Sequence, residues 1–163
     1  MTTEENEARV NVHGCLVQWE GTGILLTGDS GIGKTTCALE ISRRGGGWIA
    51  DDIAVLSCLS GQILSGQAHE KIRNLVHLRE AGIIDVRSLH SIRIVGETRV
   101  DIVIELTKKL EKVQKKGLAT NRLREIMEVE IPFAQVTVLA DTAGTVDAIL
   151  NHVRLHMGGQ RGE

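Results

Sequence analysis

The stretch Ile24-Leu25-Leu26-Thr27-Gly28-Asp29-Ser30-Gly31-Ile32-Gly33-Lys34-Thr35 decides the fold of this chain, because it joins an apolar strand to a helix through a glycine-rich loop. The apolar residues of 24–27 are typical of a short strand buried in the centre of a sheet. Residues 35–44 predict a helix, since two arginines lie in its last turn and Gly45-Gly46-Gly47 follows as a stop signal. Strand, loop and helix in this order predict an α/β domain with the loop at the carboxyl end of a strand.

The loop itself, residues 28–35, fits the P-loop pattern G-x-x-x-x-G-K-[ST], in which backbone amides surround phosphate oxygens. The N-terminus of the following helix adds partial positive charge behind them. Lys34 is expected to reach the β- and γ-phosphates, and the Thr35 hydroxyl to bind magnesium. The predicted ligands are therefore ATP, or a close relative, and Mg2+. The residues predicted to bind the nucleotide are Gly28, Asp29, Ser30, Gly31, Ile32, Gly33, Lys34, Thr35 and Thr36.

An alternative interpretation of the loop is a glycine-rich turn that precedes a helix by chance, with Lys34 in solvent. The four fixed positions would match by chance in on the order of 1% of chains with this length and glycine content. Because the strand and the helix are required as well, phosphate binding is favoured.

The length and composition indicate one globular domain over residues 1–163. Of the 163 residues, 42% are hydrophobic and 25% are charged, and the chain contains one proline. The polar residues 1–8 are expected to be disordered. A formal net charge of -2 predicts neither nucleic acid nor a membrane as a partner. Three widely spaced cysteines predict reduced thiols rather than a zinc site, and the cytoplasm is the expected location.

The pattern of apolar segments predicts a mixed sheet, because a hairpin precedes the loop and strand pairs follow it. The predicted strands are 10–19, 24–27, 48–50, 53–59, 63–64, 100–106 and 136–139, with a short apolar step at 83–86. The predicted helical segments are 35–44, 75–79, 121–127 and 145–156, and 108–116 is predicted to be a solvated charged stretch.

Two acidic residues, Asp51 and Asp52, end the apolar strand that follows the predicted P-loop helix. A carboxylate at this end of a strand can take the proton of an attacking hydroxyl or bind magnesium. Adjacent acids at a strand end also form ordinary solvated turns, and the residue types alone leave both interpretations open. His13 lies in the strand before the P-loop, where a lone histidine is more often structural.

Taken together, His13-Gly14, residues 28–35 and Ala50-Asp51-Asp52 resemble the catalytic domain of the HPr kinase/phosphorylase family in identity and in spacing. The resemblance covers roughly residues 10–155 and implies a P-loop fold akin to phosphoenolpyruvate carboxykinase. It also implies an ATP-dependent, cytoplasmic serine kinase that acts on an HPr-like phosphocarrier protein and assembles as a homo-oligomer, which in this family is usually a hexamer. The segments that extend the resemblance are Ile72-Arg73, Leu78-Arg79, 82–86 and 100–106.

The resemblance also implies a role for each catalytic candidate. Asp51 is expected to be the general base toward the serine, and Asp52 to assist it or to bind magnesium with Thr35. His13 is expected to position the acidic pair. Arg79 is expected to stabilise charge near the transferred phosphoryl group, because a guanidinium binds phosphate bidentately, although a surface ion pair is its simpler interpretation.

Compared with the family's longer members, no separate N-terminal regulatory domain is expected, so the resemblance is to the catalytic domain alone. Within the site segments the chain differs from the family pattern at two places. His77 stands where the family has a glutamate two places before the arginine, which removes an expected acidic magnesium contact. Residues 140–143 stand where the family has a Pro-Gly-Arg loop, so an arginine associated with the reverse reaction is missing. We therefore expect kinase activity without efficient phosphorolysis.

Three other functions are compatible with a P-loop. Asp141-Thr142-Ala143-Gly144 fits the D-x-x-G pattern of Ras-like GTPases, but it lies far from Lys34 and no guanine-reading Asn-Lys-x-Asp segment occurs, so a helix cap is favoured. A nucleotide-binding sensor or assembly module without catalysis is a second possibility. A kinase acting on a small hydroxyl compound or on another protein serine is a third.

Overall fold

A mixed sheet forms the centre of the fold in the computed structural model, which describes residues 8–108 and 122–158. Within these ranges seven strands form this sheet. In spatial order they are β12 (Arg122–Ile126), β13 (Val129–Thr137), β11 (Ile102–Thr107), β3 (Thr22–Gly28), β2 (Cys15–Trp19), β4 (Gly47–Ala50) and β9 (Arg93–Ile94). The predicted α/β class with a mixed sheet is confirmed.

A second, antiparallel sheet and two helices lie on opposite faces of the central sheet. The strands of the second sheet are β1 (Arg9–His13), β5 (Ile53–Leu59), β6 (Ile63–Ala68) and β10 (Glu97–Arg99). The helices are α1 (Lys34–Arg43) and α2 (Thr142–Gly158). The remaining elements are the hairpin strands β7 (Leu75–Leu78) and β8 (Gly82–Asp85) and the 3-10 turns Glu70–Ile72 and Val86–Ser88.

The three layers are held together by side chains that alternate along β3. Ile24 and Leu26 pack with both helices, whereas Leu25 packs with the second sheet, and all three are fully buried. Burial of one such side chain contributes about 1.5–3 kcal/mol relative to exposure. The strand that leads into the P-loop is therefore anchored from both faces.

The direction of the strands places the P-loop and the acidic pair at one edge of the sheet. β2 runs antiparallel to both β3 and β4, so β3 and β4 point the same way. β11 runs parallel to β3. The carboxyl ends of β3 and β4 therefore lie at the same edge, which is where ligands bind in such sheets.

The predicted single strand 10–19 is wrong, because the chain changes sheet at Gly14. β1 pairs with β5 in the second sheet, and β2 pairs with β3 in the central sheet. A Cβ atom at Gly14 would lie 2.5 Å from the carbonyl oxygen of Leu26, so only glycine fits at this crossing.

Two predicted helical segments are also wrong. Residues 75–79 contain β7, in which Val76 is buried and His77 is exposed, and this alternation is that of a strand paired with β8. Residues 121–127 contain β12, whose Arg122 and Arg124 side chains stack on the ring of Phe133 in β13. Strand pairing overrides the helix propensity of arginine, leucine and glutamate there.

The remaining predicted strands and helices within the described residues are present, with ends that differ by a few residues. The short strands β9 and β10 and the 3-10 turn Glu70–Ile72 are not predicted from the sequence. The predicted strand 136–139 overlaps only the last two residues of the longer β13, and α2 begins three residues before its predicted start at 145. The predictions for residues 1–7 and 109–116 lie outside the described residues. In the described part of the chain, neither helix has the length and apolar character needed to cross a membrane.

Candidate functional site

A cleft of about 480 Å³ lies at the edge of the sheet where β3 and β4 end. All five residues predicted to be catalytic contribute to its wall, together with six of the nine predicted to bind nucleotide, so elements distant in sequence meet there. The residues lining it are His13, Cys15, Ser30, Gly31, Gly33, Lys34, Thr35, Thr36, Asp51, Asp52, His77, Leu78 and Arg79.

The P-loop adopts a curled backbone that its glycines permit. Gly28, Gly31 and Gly33 have φ angles of 137°, 79° and 116°, a backbone conformation that residues with a Cβ atom rarely adopt. A Cβ atom at Gly28 would also lie 2.6 Å from the carbonyl oxygen of Leu106 in β11. The first glycine is therefore required both by its backbone angle and by the neighbouring strand.

The start of α1 provides backbone donors at the cleft. Gly33 is its N-cap residue, and among the described residues no side chain caps the amides of the first turn. The first turn also contains no acidic residue. Unpaired amides and the helix dipole make this end of the helix suited to an anion.

Lys34 spans the P-loop from the first position of α1. Its Nζ donates hydrogen bonds to the carbonyl oxygens of Gly28 and Asp29, at 2.7 and 2.9 Å. The residue is 8% exposed, so its ammonium group is confined to the loop that it bridges. A cation held there lies beside the amides that would bind phosphate.

Asp51 is a buried carboxylate with donors from three elements. Its Oδ1 accepts from the Thr35 hydroxyl at 2.8 Å and from the Cys15 thiol at 3.1 Å. Its Oδ2 accepts from the backbone amide of His77 at 3.2 Å. A carboxylate has about four lone-pair positions, so these bonds leave about one acceptor position on Oδ2.

Asp52 lies beside Asp51 but faces the rim of the cleft. It has a φ of 67°, a conformation that costs a non-glycine residue about 1–3 kcal/mol and is common at functional sites. Its Oδ1 lies 3.3 Å from His13 Nε2, and both side chains are more than half exposed. The pair meets because His13 is opposite Ile53 in the β1–β5 ladder.

The β7–β8 hairpin forms part of the cleft wall. Its first strand contributes His77 and Leu78 to the cleft, and Arg79 follows immediately after. A Cβ atom at Gly31 would lie 3.5 Å from Arg79 Nη2, so the guanidinium group rests against the P-loop. His77 lines the cleft at the position where the family resemblance implies a glutamate.

Three residues predicted to bind nucleotide do not line the cleft: Gly28, Asp29 and Ile32. Gly28 and Asp29 act through their carbonyl oxygens on Lys34, as described above. Ile32 is buried in the core below the loop, where it supports the loop from inside.

The Asp141-Thr142-Ala143-Gly144 segment lies outside the residues that line the cleft. Asp141 Oδ2 accepts a hydrogen bond from the amide of Gly144 at 2.9 Å, at the start of α2. This contact is that of a helix cap, which agrees with the simpler interpretation of the D-x-x-G pattern.

Cys15 is the cleft residue that sequence reasoning missed. Burial, with a further contribution from the Asp51 carboxylate, raises the pKa of its thiol far above the usual range. No local pattern in the sequence marks its position, because both the change of sheet at Gly14 and the contact of Cys15 with Asp51 depend on strand pairing.

The donor set fits a magnesium ion bound together with phosphates. The Thr35 hydroxyl donates a hydrogen bond to Asp51, which leaves the lone pairs of its oxygen available to a cation. Asp52 provides an accessible carboxylate at the rim. Magnesium usually keeps several waters and takes one or two protein carboxylates beside substrate phosphates, so a larger protein cage is not needed.

Comparison with known proteins gives a family match over nearly the whole chain. The family model described as HPr Serine kinase C-terminal domain matches residues 5–162. The chain is 37% identical over 139 residues to the HPr kinase/phosphorylase of Caldicellulosiruptor bescii, covering 83% of this chain and 44% of that protein. It is 34% identical over 160 residues to the HPr kinase/phosphorylase of Alkaliphilus metalliredigens, covering 91% and 50%. The chain thus spans about half the length of these curated relatives.

A solved structure has the same fold. The Hpr(Ser) kinase/phosphatase from Coxiella burnetii superposes with a TM-score of 0.80, covering 93% of this chain and 94% of that chain. The two sequences are 24% identical, so this likeness concerns the fold alone.

Proposed function

Because the chain belongs to the HPr serine kinase C-terminal domain family, we propose that it is an ATP-dependent protein kinase that phosphorylates a serine of an HPr-like phosphocarrier. The observation that carries this proposal is the 2.8 Å hydrogen bond between the Thr35 hydroxyl and Asp51 Oδ1. It places a carboxylate directly against the phosphate-binding loop, where an acceptor hydroxyl must approach.

The donor half of the reaction uses the P-loop. Backbone amides of the loop and the N-terminus of α1 bind the phosphates of ATP, and Lys34 neutralises part of their charge. Magnesium, when bound, offsets further negative charge on the phosphates, and Thr35 and Asp52 are the residues that would hold it. The described aromatic residues do not line the cleft, so we expect the adenine to rest on aliphatic surface.

Asp51 acts as the general base in this proposal. The serine oxygen attacks the γ-phosphorus, the bond from that phosphorus to the β–γ bridging oxygen breaks, and the serine proton passes to Asp51 Oδ2. This oxygen has the open acceptor position, because Oδ1 already accepts from Thr35 and Cys15. The products are ADP and phosphoserine.

Three further side chains of the cleft assist the phosphoryl transfer in this proposal. His13 and Asp52 form a pair at the rim of the cleft. His13 can position Asp52 there, and the two side chains together can orient the acceptor. Arg79 rests against Gly31 of the loop and stabilises charge on the transferred phosphoryl group. Because a guanidinium binds two phosphate oxygens at once, it also fixes the direction of the transfer.

We infer that the reverse phosphorolysis is weak or absent. The segment 140–143 contains no arginine, and it lies outside the cleft lining. The resemblance to the family further supports a cytoplasmic protein that acts as a homo-oligomer, with the hexamer as the usual assembly of the family. The net charge of -2 supports neither nucleic acid nor a membrane as a partner. Sedimentation velocity would measure the assembly, and a monomer at all concentrations would contradict it.

The test is phosphoryl transfer from γ-labelled ATP, with magnesium, to a panel of purified HPr-like phosphocarriers. We expect serine-linked label with the native protein and a loss of more than about a hundredfold in kcat in Asp51→Asn, with ATP binding preserved. Asp52→Asn is the matched variant one residue away, and we expect a smaller loss.

Other outcomes would identify the rival functions. ATP binding without labelling of any carrier would favour a sensor or assembly module. Labelling of small hydroxyl compounds instead of carriers would retain the kinase but change its acceptor. Equal losses in both aspartate variants would contradict the assignment of Asp51 as the base.

A further inference from the structure

Cys15 lies next to the proposed base because of strand register. Leu16 is paired with Ala50 between the antiparallel strands β2 and β4, which brings the preceding Cys15 level with the following Asp51. The alternation of β2 then points Cys15 toward the helix face of the sheet. The thiol is 1% exposed and donates to Asp51 Oδ1 at 3.1 Å.

The thiol shares its acceptor atom with the P-loop. Cys15 Sγ lies 3.9 Å from Thr35 Oγ1, and both groups contact Asp51 Oδ1. The amide of His77 contacts the other oxygen of the same carboxylate. Three contacts from β2, α1 and β7 fix both the position of the carboxylate and its rotation about the bond to Cβ.

This thiol is suited to donate a bond and poorly suited to react. A reactive cysteine is a thiolate in a partly exposed, electropositive environment, whereas Cys15 is buried against a carboxylate. It therefore retains its proton and remains a donor across the physiological pH range.

We propose that Cys15 is a positioning residue, which holds the Asp51 carboxylate together with Thr35 and the His77 amide so that Oδ2 faces the acceptor hydroxyl. This inference rests on the proposed kinase function. It assigns to Cys15 the orientation of the base and no direct contact with the substrate.

The test compares Cys15→Ala and the bulkier Cys15→Val, which both remove the donor, with Cys15→Ser, which keeps one. Cys37→Ala is the matched control, because Cys37 is also a buried thiol but lies on α1 and packs in the core. We expect both apolar variants to lose about three- to tenfold in kcat with unchanged ATP affinity, the size expected for one weak hydrogen bond to a charged group. Serine should restore kcat, and Cys37→Ala should retain it.

A second readout is hydrogen exchange of the His77 amide, measured by mass spectrometry or NMR in every variant. Loss of the thiol should loosen the carboxylate and accelerate exchange at His77 in Cys15→Ala, whereas Cys15→Ser should exchange as the native protein does. This measurement decides the role of Cys15 even if the native protein labels no carrier, in which case the kinase proposal alone fails.

Three results would overturn the inference. The first is a folded Cys15→Ala or Cys15→Val variant in which both kcat and the exchange of the His77 amide equal those of the native protein. The second is a loss of kcat that Cys15→Ser shares with the apolar variants. The third is a failure of both apolar variants to fold. The last would show that Cys15 acts through packing.

Discussion

Gly14 joins the two sheets at the point where the site is assembled. Its amide donates to the carbonyl oxygen of Asp52 at 2.9 Å, so the crossings from β1 to β2 and from β4 to β5 lie side by side. His13 on one crossing thereby meets Asp52 on the other. A single residue without a side chain thus sets the position of two site residues.

Gly14→Ala is predicted to lower the free energy of unfolding by about 1–3 kcal/mol, as overpacking of a closed site does. The new methyl group would lie 2.5 Å from a backbone oxygen, which cannot move as a flexible side chain can. Urea unfolding measures the change. Gly96→Ala is the control, because a Cβ atom there meets no atom within 4 Å, and a change within about 0.5 kcal/mol is expected. Equal stabilities of the two variants would contradict the crowding at Gly14.

At the scale of elements, α2 is tied to the rest of the domain at its first turns. Asp141 caps it, and the Thr145 hydroxyl accepts a hydrogen bond from the amide of Leu139 at 2.9 Å. Asp147 forms an ion pair with Arg44 at the end of α1. These contacts indicate that the start of α2 has a structural role and does not line the cleft.

Asp141→Ala is therefore predicted to cost about 1 kcal/mol of stability through loss of the cap, with ATP affinity unchanged. Asp141→Asn retains an acceptor for the Gly144 amide and should retain most of the stability. Thermal unfolding and calorimetric titration with ATP measure the two quantities. A tenfold weaker ATP affinity in Asp141→Ala would instead support a phosphate-sensing D-x-x-G segment.

For the whole molecule, a polar network at the β11–β13–β12 side of the central sheet couples stability to pH. Glu105 accepts from Gln135 at 2.8 Å and from Arg124 at 3.2 Å. The Gln135 hydrogen bond, followed by the bond and charge of Arg124, holds the pKa of Glu105 below its ordinary value of 4.5. The folded carboxylate thus binds its proton less readily than the unfolded one.

Stability from this group is present above pH 4.5 and is lost as the pH falls through the lower, folded value. Glu105→Gln is therefore predicted to be less stable than the native protein at neutral pH, and to lose less stability on acidification below pH 4.5. Urea unfolding between about pH 3 and 7 measures how the free energy of unfolding of each protein changes with pH. Glu125→Gln, an exposed carboxylate on β12, controls for the loss of one charge. Parallel curves for Glu105→Gln and the native protein would contradict the linkage.

The sequence by itself determined the P-loop, the helix after it and the α/β class, because these depend on local glycine positions and apolar periodicity. It also indicated His13, Asp51, Asp52 and Arg79 through spacing that resembles a family. Their catalytic roles remain predictions for the variants above to test.

Only the tertiary structure decided which side chains touch. The strands at 75–78 and 122–126 form because partner strands override local helix propensity, and the break at Gly14 depends on the carbonyl oxygen of Leu26. The contacts of Asp51 with Cys15, Thr35 and the His77 amide come from β2, α1 and β7. Such contacts depend on strand register and sheet order, which bring together residues far apart in the chain and leave no local pattern in the sequence.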